Sequence, residues 1–190
     1  MPPVLDYDIL RKGETIGHQH IAFRTDGDRI LMHSEIKIEV RLLFVTAFRY
    51  EQVRDEVWRG DKMLSLTAVT NDDGKKCDLR VQAEPAGFVA MSGKESWTLP
   101  ADAVPLSYWH ISMVTGAGPL FDTACGKLLS FRAQKVGPEA VTARRAQVET
   151  IHYKIDDPGR MRDMWYDSNR ILVQTSVVGR DGSSAVWVLK

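Results

Sequence analysis

The sequence predicts an all-β protein in which one strongly curled antiparallel sheet forms an incomplete barrel. Three observations predict it: long stretches alternate strictly between apolar and polar residues, turn sequences recur between them, and one long connection follows neither pattern. The chain has 190 residues, of which 44% are hydrophobic and 26% are charged. Because this composition is ordinary for a globular domain, we expect residues 1–190 to form a single β-barrel-like domain.

The clearest predicted strand runs from residue 29 to residue 43. Its apolar residues share one parity, broken by Ser34: Ile30, Met32, Ile36, Ile38, Val40 and Leu42. Its polar residues share the other parity: His33, Glu35, Lys37, Glu39 and Arg41. Successive side chains of a strand point to opposite faces, so the first set is predicted to be buried and the second to be exposed.

The same reasoning predicts eleven further strands, separated by turn sequences such as the one at residues 71–74. They are predicted at 4–11, 16–25, 45–58, 62–71, 76–84, 87–93, 127–136, 141–155, 161–166, 170–178 and 184–189. Short turns between them indicate antiparallel neighbours.

Residues 99–126 are the long connection that resembles neither strand nor helix. They contain early prolines, a glycine-rich break at 116–118 and a dense apolar cluster at 108–113. A curled sheet of about a dozen strands encloses more space than its own side chains fill. We therefore predict that this segment lies across the open side of the barrel as a lid or plug.

Charge and hydropathy exclude several classes of partner. Lys and Arg total 25, Asp and Glu total 25, and no basic patch stands out, which argues against nucleic acid as a partner. No apolar run approaches the length of about 20 residues that a membrane span needs. The first residues lack the basic and apolar regions of a signal peptide, so the sequence as given predicts a cytoplasmic protein, or a periplasmic one if a leader has been removed. The oligomeric state stays open.

Two cysteines, Cys77 and Cys125, are too few for a disulfide framework. One bridge is possible, but the interpretation that we favour is two free thiols. Cys77 shares the apolar parity of its strand and is predicted to be shielded, whereas Cys125 lies beside Gly126 and is predicted to be accessible.

The aromatic cluster of the plug offers the best candidate site. Tyr108, Trp109 and Met113 are predicted to line a ligand, because amphipathic rings in a lid can face bound molecules. His110 lies among them and is the best candidate for a general acid or base, with Asp122 as the carboxylate that would orient it.

His18 and His20 are two residues apart, so on a strand both point to one face and form a two-ligand geometry for a metal. No third ligand is fixed by the sequence, and the interpretation that we favour is partly exposed strand histidines with no bound metal.

Four segments in order resemble a family of bacterial β-rich domains of unknown function, which look similar to curled-sheet proteins of the lipoprotein-carrier type. They are Tyr7-Asp8-Ile9 with Gly13 and Ile16-Gly17, Glu56-Val57-Trp58-Arg59-Gly60 with 64–66 and 70–74, Pro105-Leu106-Ser107-Tyr108-Trp109-His110, and Trp165-Tyr166-Asp167. The likeness covers nearly the whole chain and implies no assigned reaction. His110 stands where the family usually has Asn, so no role is carried over to that position.

The predicted function is binding of an apolar or amphipathic, lipid-like small molecule on the concave face of the sheet. The alternative is a cofactor-independent enzyme, such as an isomerase, cyclase or hydrolase, that acts on a hydrophobic small molecule through His110. Neither hypothesis requires a cofactor, and we expect none. Two or three convergent polar groups on the concave face, with His110 among them, would favour the enzyme, and only apolar groups there would favour the carrier.

Overall fold

A computed structural model describes residues 3–42, 45–129, 133–155, 161–179 and 182–190. Most of them lie in β-strands, and α1 (Ser112–Thr115) is a single helical turn. The strands of the first half are β1 (Leu5–Arg11), β2 (Glu14–Asp26), β3 (Arg29–Leu42), β4 (Val45–Arg59), β5 (Lys62–Asp72), β6 (Lys75–Glu84), β7 (Gly87–Ser92) and β8 (Glu95–Leu99). Those of the second half are β9 (Val104–Pro105), β10 (Leu120–Phe121), β11 (Ala133–Ala143), β12 (Ala146–Ile155), β13 (Arg162–Tyr166), β14 (Leu172–Val178) and β15 (Ser184–Leu189).

One 13-stranded sheet contains all of these strands except β9 and β10. Its order is β11-β12-β13-β14-β15-β1-β2-β3-β4-β5-β6-β7-β8, with antiparallel neighbours throughout. The first and last strands pair with each other in the middle of the sheet, and β8 and β11 form its two edges. The sheet does not close on itself, so the prediction of an all-β incomplete barrel is confirmed.

The alternation in β3 has the predicted parity. Met32, Ser34 and Ile38 are buried, whereas Glu35 and Lys37 are exposed. Ile36 and Val40 share the buried parity but are only half-buried, because the core cluster reaches this strand at Met32 and does not extend toward the β3–β4 turn. The last predicted residue of this strand, 43, lies outside the described residues.

Two predicted strands have the wrong bounds, and one strand was not predicted. The strand predicted at 141–155 is divided by a two-residue turn at Arg144 and Arg145, which have φ of 51° and 59°. Hairpin turns with two left-handed residues favour Asn-Gly or Asp-Gly, and the arginines gave no such signal. In place of the strand predicted at 127–136, the structure has β11 over Ala133–Ala143, with residues 130–132 outside the described part. Strand β8 lies at residues for which no strand was predicted.

The plug lies on the concave face, as predicted for residues 99–126. Leu106, Trp109, Met113 and Phe121 are buried in one core cluster with sheet residues such as Leu66. Apolar burial of this kind holds the segment against the sheet.

The plug has two arms, one containing β9 and the other containing β10, and these arms are joined to each other. Strands β9 and β10 pair in parallel, and the Val104 N–H donates to the Pro119 carbonyl at 2.9 Å. Gly118 allows this close approach, since a Cβ there would lie 1.6 Å from the Asp102 carbonyl oxygen. The arms therefore form one unit, in which the glycine serves close packing.

A disulfide joins Cys77 of β6 to Cys125 of the plug, with Cα atoms 5.8 Å apart. The favoured interpretation of two free thiols, one shielded and one accessible, is wrong. Cys77 does point inward with Leu79, and this orientation is what brings it to Cys125 when the plug covers the sheet. The path of the plug determines the pairing, and the sequence alone did not show that path.

No helix in the described ranges is long and apolar enough to cross a membrane.

The double variant Cys77→Ser/Cys125→Ser should have an unfolding free energy lower by about 2–4 kcal/mol. The bridge spans a sequence separation of 48 residues and restricts the unfolded chain. Urea unfolding of the variant, of the oxidised protein and of the reduced protein measures the effect, and the reduced protein should match the variant. Two thiols that titrate in unfolded, unreduced protein would contradict the pairing.

Candidate functional site

The inner face of β4 is polar. Gln52, Arg54 and Glu56 are buried on it, whereas Val53 between them is 44% exposed. A buried strand face normally carries apolar residues, so β4 reverses the usual pattern. The sequence did not identify these residues as a site, because both faces of this strand mix polar and apolar residues. The parity of Trp58, which is buried at the end of the same row, is the signal that identifies the inner face.

Arg54 and Glu56 form a buried ion pair, in which Arg54 Nε lies 2.9 Å from Glu56 Oε1. The two side chains are 4% and 0% exposed. Arg54 also donates from Nη1 to Thr123 Oγ1 at 2.7 Å and to Gln52 Oε1 at 3.2 Å, and from Nη2 to Ser107 Oγ at 3.3 Å. Thr123 and Ser107 belong to the plug, so the guanidinium connects plug and sheet.

The Glu56 carboxylate accepts three hydrogen bonds. Ser107 Oγ donates to Oε1 at 2.7 Å, Trp109 Nε1 donates to Oε2 at 2.9 Å, and Trp58 Nε1 donates to Oε2 at 2.7 Å. A buried charge is costly unless it is paired and hydrogen-bonded. Two of these donors, Ser107 and Trp109, come from the plug. The carboxylate therefore has its full set of hydrogen bonds only when the plug lies against the sheet.

Gln52, Arg54 and Glu56 together form a polar strip along the inner face of β4. Gln52 is its first residue. Its Nε2 donates to Thr70 Oγ1 at 3.0 Å and to the Thr123 carbonyl at 3.3 Å. The concave face thus carries convergent polar groups, as the enzyme hypothesis expects. These groups bond to one another, to Thr70 and to the plug, whereas His110 is bonded to Ser112.

His110 lies at the edge of this network. Its ring stacks on Trp58, with centroids 4.2 Å apart and an interplanar angle of 15°. Nδ1 accepts from the Ser112 N–H at 3.3 Å and lies 2.7 Å from Ser112 Oγ, and Nε2 lies 3.7 Å from Asp61 Oδ1. Burial lowers the pKa of His110, against the opposite effect of the Asp61 and Glu56 carboxylates, and so favours the neutral ring.

Asp122, predicted to orient His110, has a different set of partners. Its two oxygens accept hydrogen bonds from the backbone N–H groups of Ala124 at 3.0 Å, Cys125 at 2.7 Å and Lys127 at 2.8 Å. These bonds shape the turn that carries the disulfide. The carboxylate that faces His110 is that of Asp61.

The predicted ligand-lining residues fill the interior of the barrel. Trp109 packs edge-on against Phe23 at 5.0 Å and against Trp58 at 5.6 Å between ring centroids, and Met113 is buried. Tyr108 is half-buried, and its carbonyl accepts a hydrogen bond from Tyr166 Oη at 3.0 Å. These side chains therefore occupy the space in which a ligand was predicted.

Two open clefts lie away from the plug. The larger, of about 730 Å³, is lined by Pro3, Val4, Asp6, Arg144, Ile171, Leu189 and Lys190. The smaller, of about 300 Å³, lies on the outer surface of β4–β6 beside Val53 and Val69.

His18 and His20 lie on the outer face of β2, with side chains 64% and 50% exposed. Within the part of the chain that the structure describes, no group of three or more His, Cys, Asp or Glu residues could hold a metal ion.

The fold and the site define a β-barrel-like protein whose open concave face is covered by a segment of its own chain. The chain belongs to the family described as a domain of unknown function (DUF6134), whose model matches residues 7–190. The resemblance noted in the sequence, to an uncharacterised β-rich family, is thereby confirmed. Among curated proteins, none matches the sequence.

A similar solved structure is the β-barrel-like protein of domain of unknown function DUF1849 from Brucella abortus. The two chains are 12% identical and superpose with a TM-score of 0.69, covering 98% of this chain and 94% of the other. At this identity, the likeness shows a shared fold.

Glu56→Gln should lower the unfolding free energy by about 3–5 kcal/mol, because it leaves the Arg54 guanidinium buried without its counter-charge. Urea or thermal unfolding measures the change. The matched control is Asp55→Asn, the next residue on the exposed face, where the pair with His33 should be worth less than about 1 kcal/mol. Equal losses in the two variants would show that Glu56 does not hold the plug.

When the pH is lowered from about 7.5 to about 5.5, the His110→Asn variant should lose less unfolding free energy than the unmodified protein. The folded pKa of His110 lies below its ordinary value of 6.5, so below that pH the unfolded chain binds a proton that the native ring resists. Stability from this group is full above the unfolded pKa and falls as the pH drops toward the folded pKa. Urea unfolding at several pH values measures the slope for both proteins.

The control for this pH prediction is His33→Asn. The hydrogen bond to Asp55 raises the pKa of His33, so its stabilisation is present at low pH and is lost as the pH rises. His33→Asn should therefore lose more unfolding free energy on acidification than the unmodified protein, whereas His110→Asn should lose less. An unchanged slope in His110→Asn would contradict the assignment.

Proposed function

We propose that this protein binds an amphipathic small molecule between the concave face of the sheet and the plug. The observation that carries the proposal is the strip of Gln52, Arg54 and Glu56 buried on the inner face of β4, beneath a segment that is not part of the sheet. The surrounding concave face is apolar and includes Leu66 and Leu79. Such a surface complements a molecule with a polar head and an apolar tail.

Opening the plug would leave the polar strip with free hydrogen-bonding capacity of both kinds. Arg54 would lose Thr123 and Ser107 as acceptors, and Glu56 would lose Ser107 and Trp109 as donors. The head group that best replaces these contacts both donates and accepts hydrogen bonds. A hydroxyl-bearing zwitterionic or neutral head fits this requirement better than a simple anion or cation.

The plug can leave its place as one unit because its arms are paired with each other through β9 and β10. The Cys77–Cys125 bridge retains one end of it on β6. We infer a tethered lid. When it opens, the ligand tail enters the space that Trp109 and Met113 fill in the closed form, and Tyr108, Trp109 and Met113 then lie above the ligand.

The test uses lysophosphatidylcholine monomers, whose zwitterionic head carries one free hydroxyl, with native mass spectrometry and tryptophan fluorescence as readouts. Ser107→Ala weakens the plug but leaves the strip on the sheet intact, so it should bind the probe more tightly than the unmodified protein. Each 1.4 kcal/mol of weakened closure is worth about tenfold in apparent affinity.

Arg54→Lys is the matched variant on the sheet side. It removes the same Arg54–Ser107 contact and keeps a positive charge beside Glu56, but it also removes the donors that the head group would take. It should therefore bind the probe more weakly than Ser107→Ala. Absence of binding in the unmodified protein and in Ser107→Ala would refute the proposal.

A catalytic function through His110 is the second candidate, favoured by its neutral ring next to Asp61 at the edge of the polar strip. A general acid or base contributes about 10²–10⁴-fold to a rate. If bound lipid esters are hydrolysed, His110→Asn should abolish turnover and leave probe binding intact. If the protein is a carrier, the probe recovered after incubation should be intact with both the unmodified protein and His110→Asn.

We further propose that the protein works in an oxidising compartment such as the periplasm, in place of the cytoplasmic expectation. The support is the Cys77–Cys125 bridge, since disulfides of this kind persist outside the reducing cytosol. Thiol alkylation of cell fractions, without prior reduction, should find the native protein unlabelled.

A further inference from the structure

His18 and His20 lie side by side on the outer face of β2, away from the plug. On a strand, residues two apart are separated by about 7 Å and point the same way. Both rings are well exposed, at 64% and 50%. Their imidazoles can therefore reach one small ion from the same side.

Each of these histidines is hydrogen-bonded to an aspartate directly opposite it on β1. His18 Nδ1 lies 2.8 Å from Asp8 Oδ1, and His20 Nδ1 lies 2.7 Å from Asp6 Oδ1. An ionised carboxylate can only accept a hydrogen bond, so Nδ1 must carry the hydrogen in both rings. In the neutral imidazole the lone pair is then on Nε2, the nitrogen turned away from the aspartate.

Asp8 is also paired with a cation, since Lys190 Nζ lies 2.9 Å from its Oδ1 atom. A histidine that donates Nδ1–H to a carboxylate and keeps Nε2 free has the arrangement of metal-binding histidines, in which the carboxylate orients the ring and raises its basicity.

We propose that Nε2 of His18 and Nε2 of His20 bind one divalent transition-metal ion on the outer face of β2. Imidazole ligands suit Cu²⁺, Ni²⁺ and Zn²⁺, and Cu²⁺ is expected to bind most tightly. Among the described residues, no third His, Cys, Asp or Glu completes a metal site with the pair, so water or a donor from another molecule fills the remaining positions.

The charged side chains around the two histidines are of both signs. Across the ladder on β3, Glu35 lies opposite His20 and Lys37 lies opposite His18. On the other side, Asp6 and Asp8 face the pair, and Lys190 Nζ lies 2.9 Å from Asp8 Oδ1. Charges of both signs therefore surround the histidines, and preference for one kind of ion comes from the imidazole ligands. Binding depends on the two imidazoles, which hard cations do not prefer.

The experiment titrates Cu²⁺ and Zn²⁺ alone into the whole chain, with calorimetry for both ions and electron paramagnetic resonance for Cu²⁺. One Cu²⁺ per chain with the hyperfine pattern of two imidazole nitrogens is expected. His18→Ala or His20→Ala should weaken binding at least tenfold and change the spectrum. Asp6→Ala should weaken it by about 10–100-fold while both ligands remain.

The matched control is His33→Ala. His33 is also exposed, at 43%, and its Nδ1 also lies 2.7 Å from an aspartate, Asp55, but it has no histidine two residues away. The His33→Ala variant should bind Cu²⁺ with the same affinity as the unmodified protein. All of these side chains are exposed, so the variants should keep the native unfolding midpoint.

Equal copper affinity in His18→Ala and the unmodified protein would overturn the proposal. So would equal losses in His20→Ala and His33→Ala, since exposed histidines would then bind copper singly. The outcome is independent of the ligand proposed beneath the plug, because the two sites lie on opposite faces of the sheet.

Discussion

The carboxylate of Glu56 is the group on which the arrangement of sheet and plug depends. It is fully buried and is satisfied by the Arg54 guanidinium, the indole N–H groups of Trp58 and Trp109, and the Ser107 hydroxyl. Partners from β4 alone leave it short of donors, and partners from the plug complete the set. A purely apolar contact could slide, whereas a buried charge with directed donors fixes one position of the plug.

Two of the four sequence segments that suggested the family resemblance meet at this carboxylate. The segment at 56–60 supplies Glu56 and Trp58, and the segment at 105–110 supplies Ser107 and Trp109. The segment at 165–167 reaches the same region, since Tyr166 Oη donates to the Tyr108 carbonyl. Segments far apart in the chain therefore form one cluster that seats the plug, which is a structural reason for their occurring together.

Strand parity could be predicted wherever one face is apolar. In β3 the alternation identified Met32 as buried and Lys37 as exposed. The same rule fails in β4, where the buried residues are charged and a valine is exposed, because partners on the plug decide which face is inside. The plug itself could be predicted from its lack of period. Its disulfide, and the partner of His110, depend on the path that the plug takes across the sheet.

The pairing of β1 with β15 divides the sheet into two meanders that meet in its middle. Each meander is built from neighbouring hairpins, but the seam between them joins residues such as Tyr7 and Leu189 from the two ends of the sequence. Contacts of such long range form late and slowly. Until β15 is made, β1 is an unpaired edge strand that can join another chain. This topology therefore leaves β1 without one of its two neighbours during synthesis until β15 has been made.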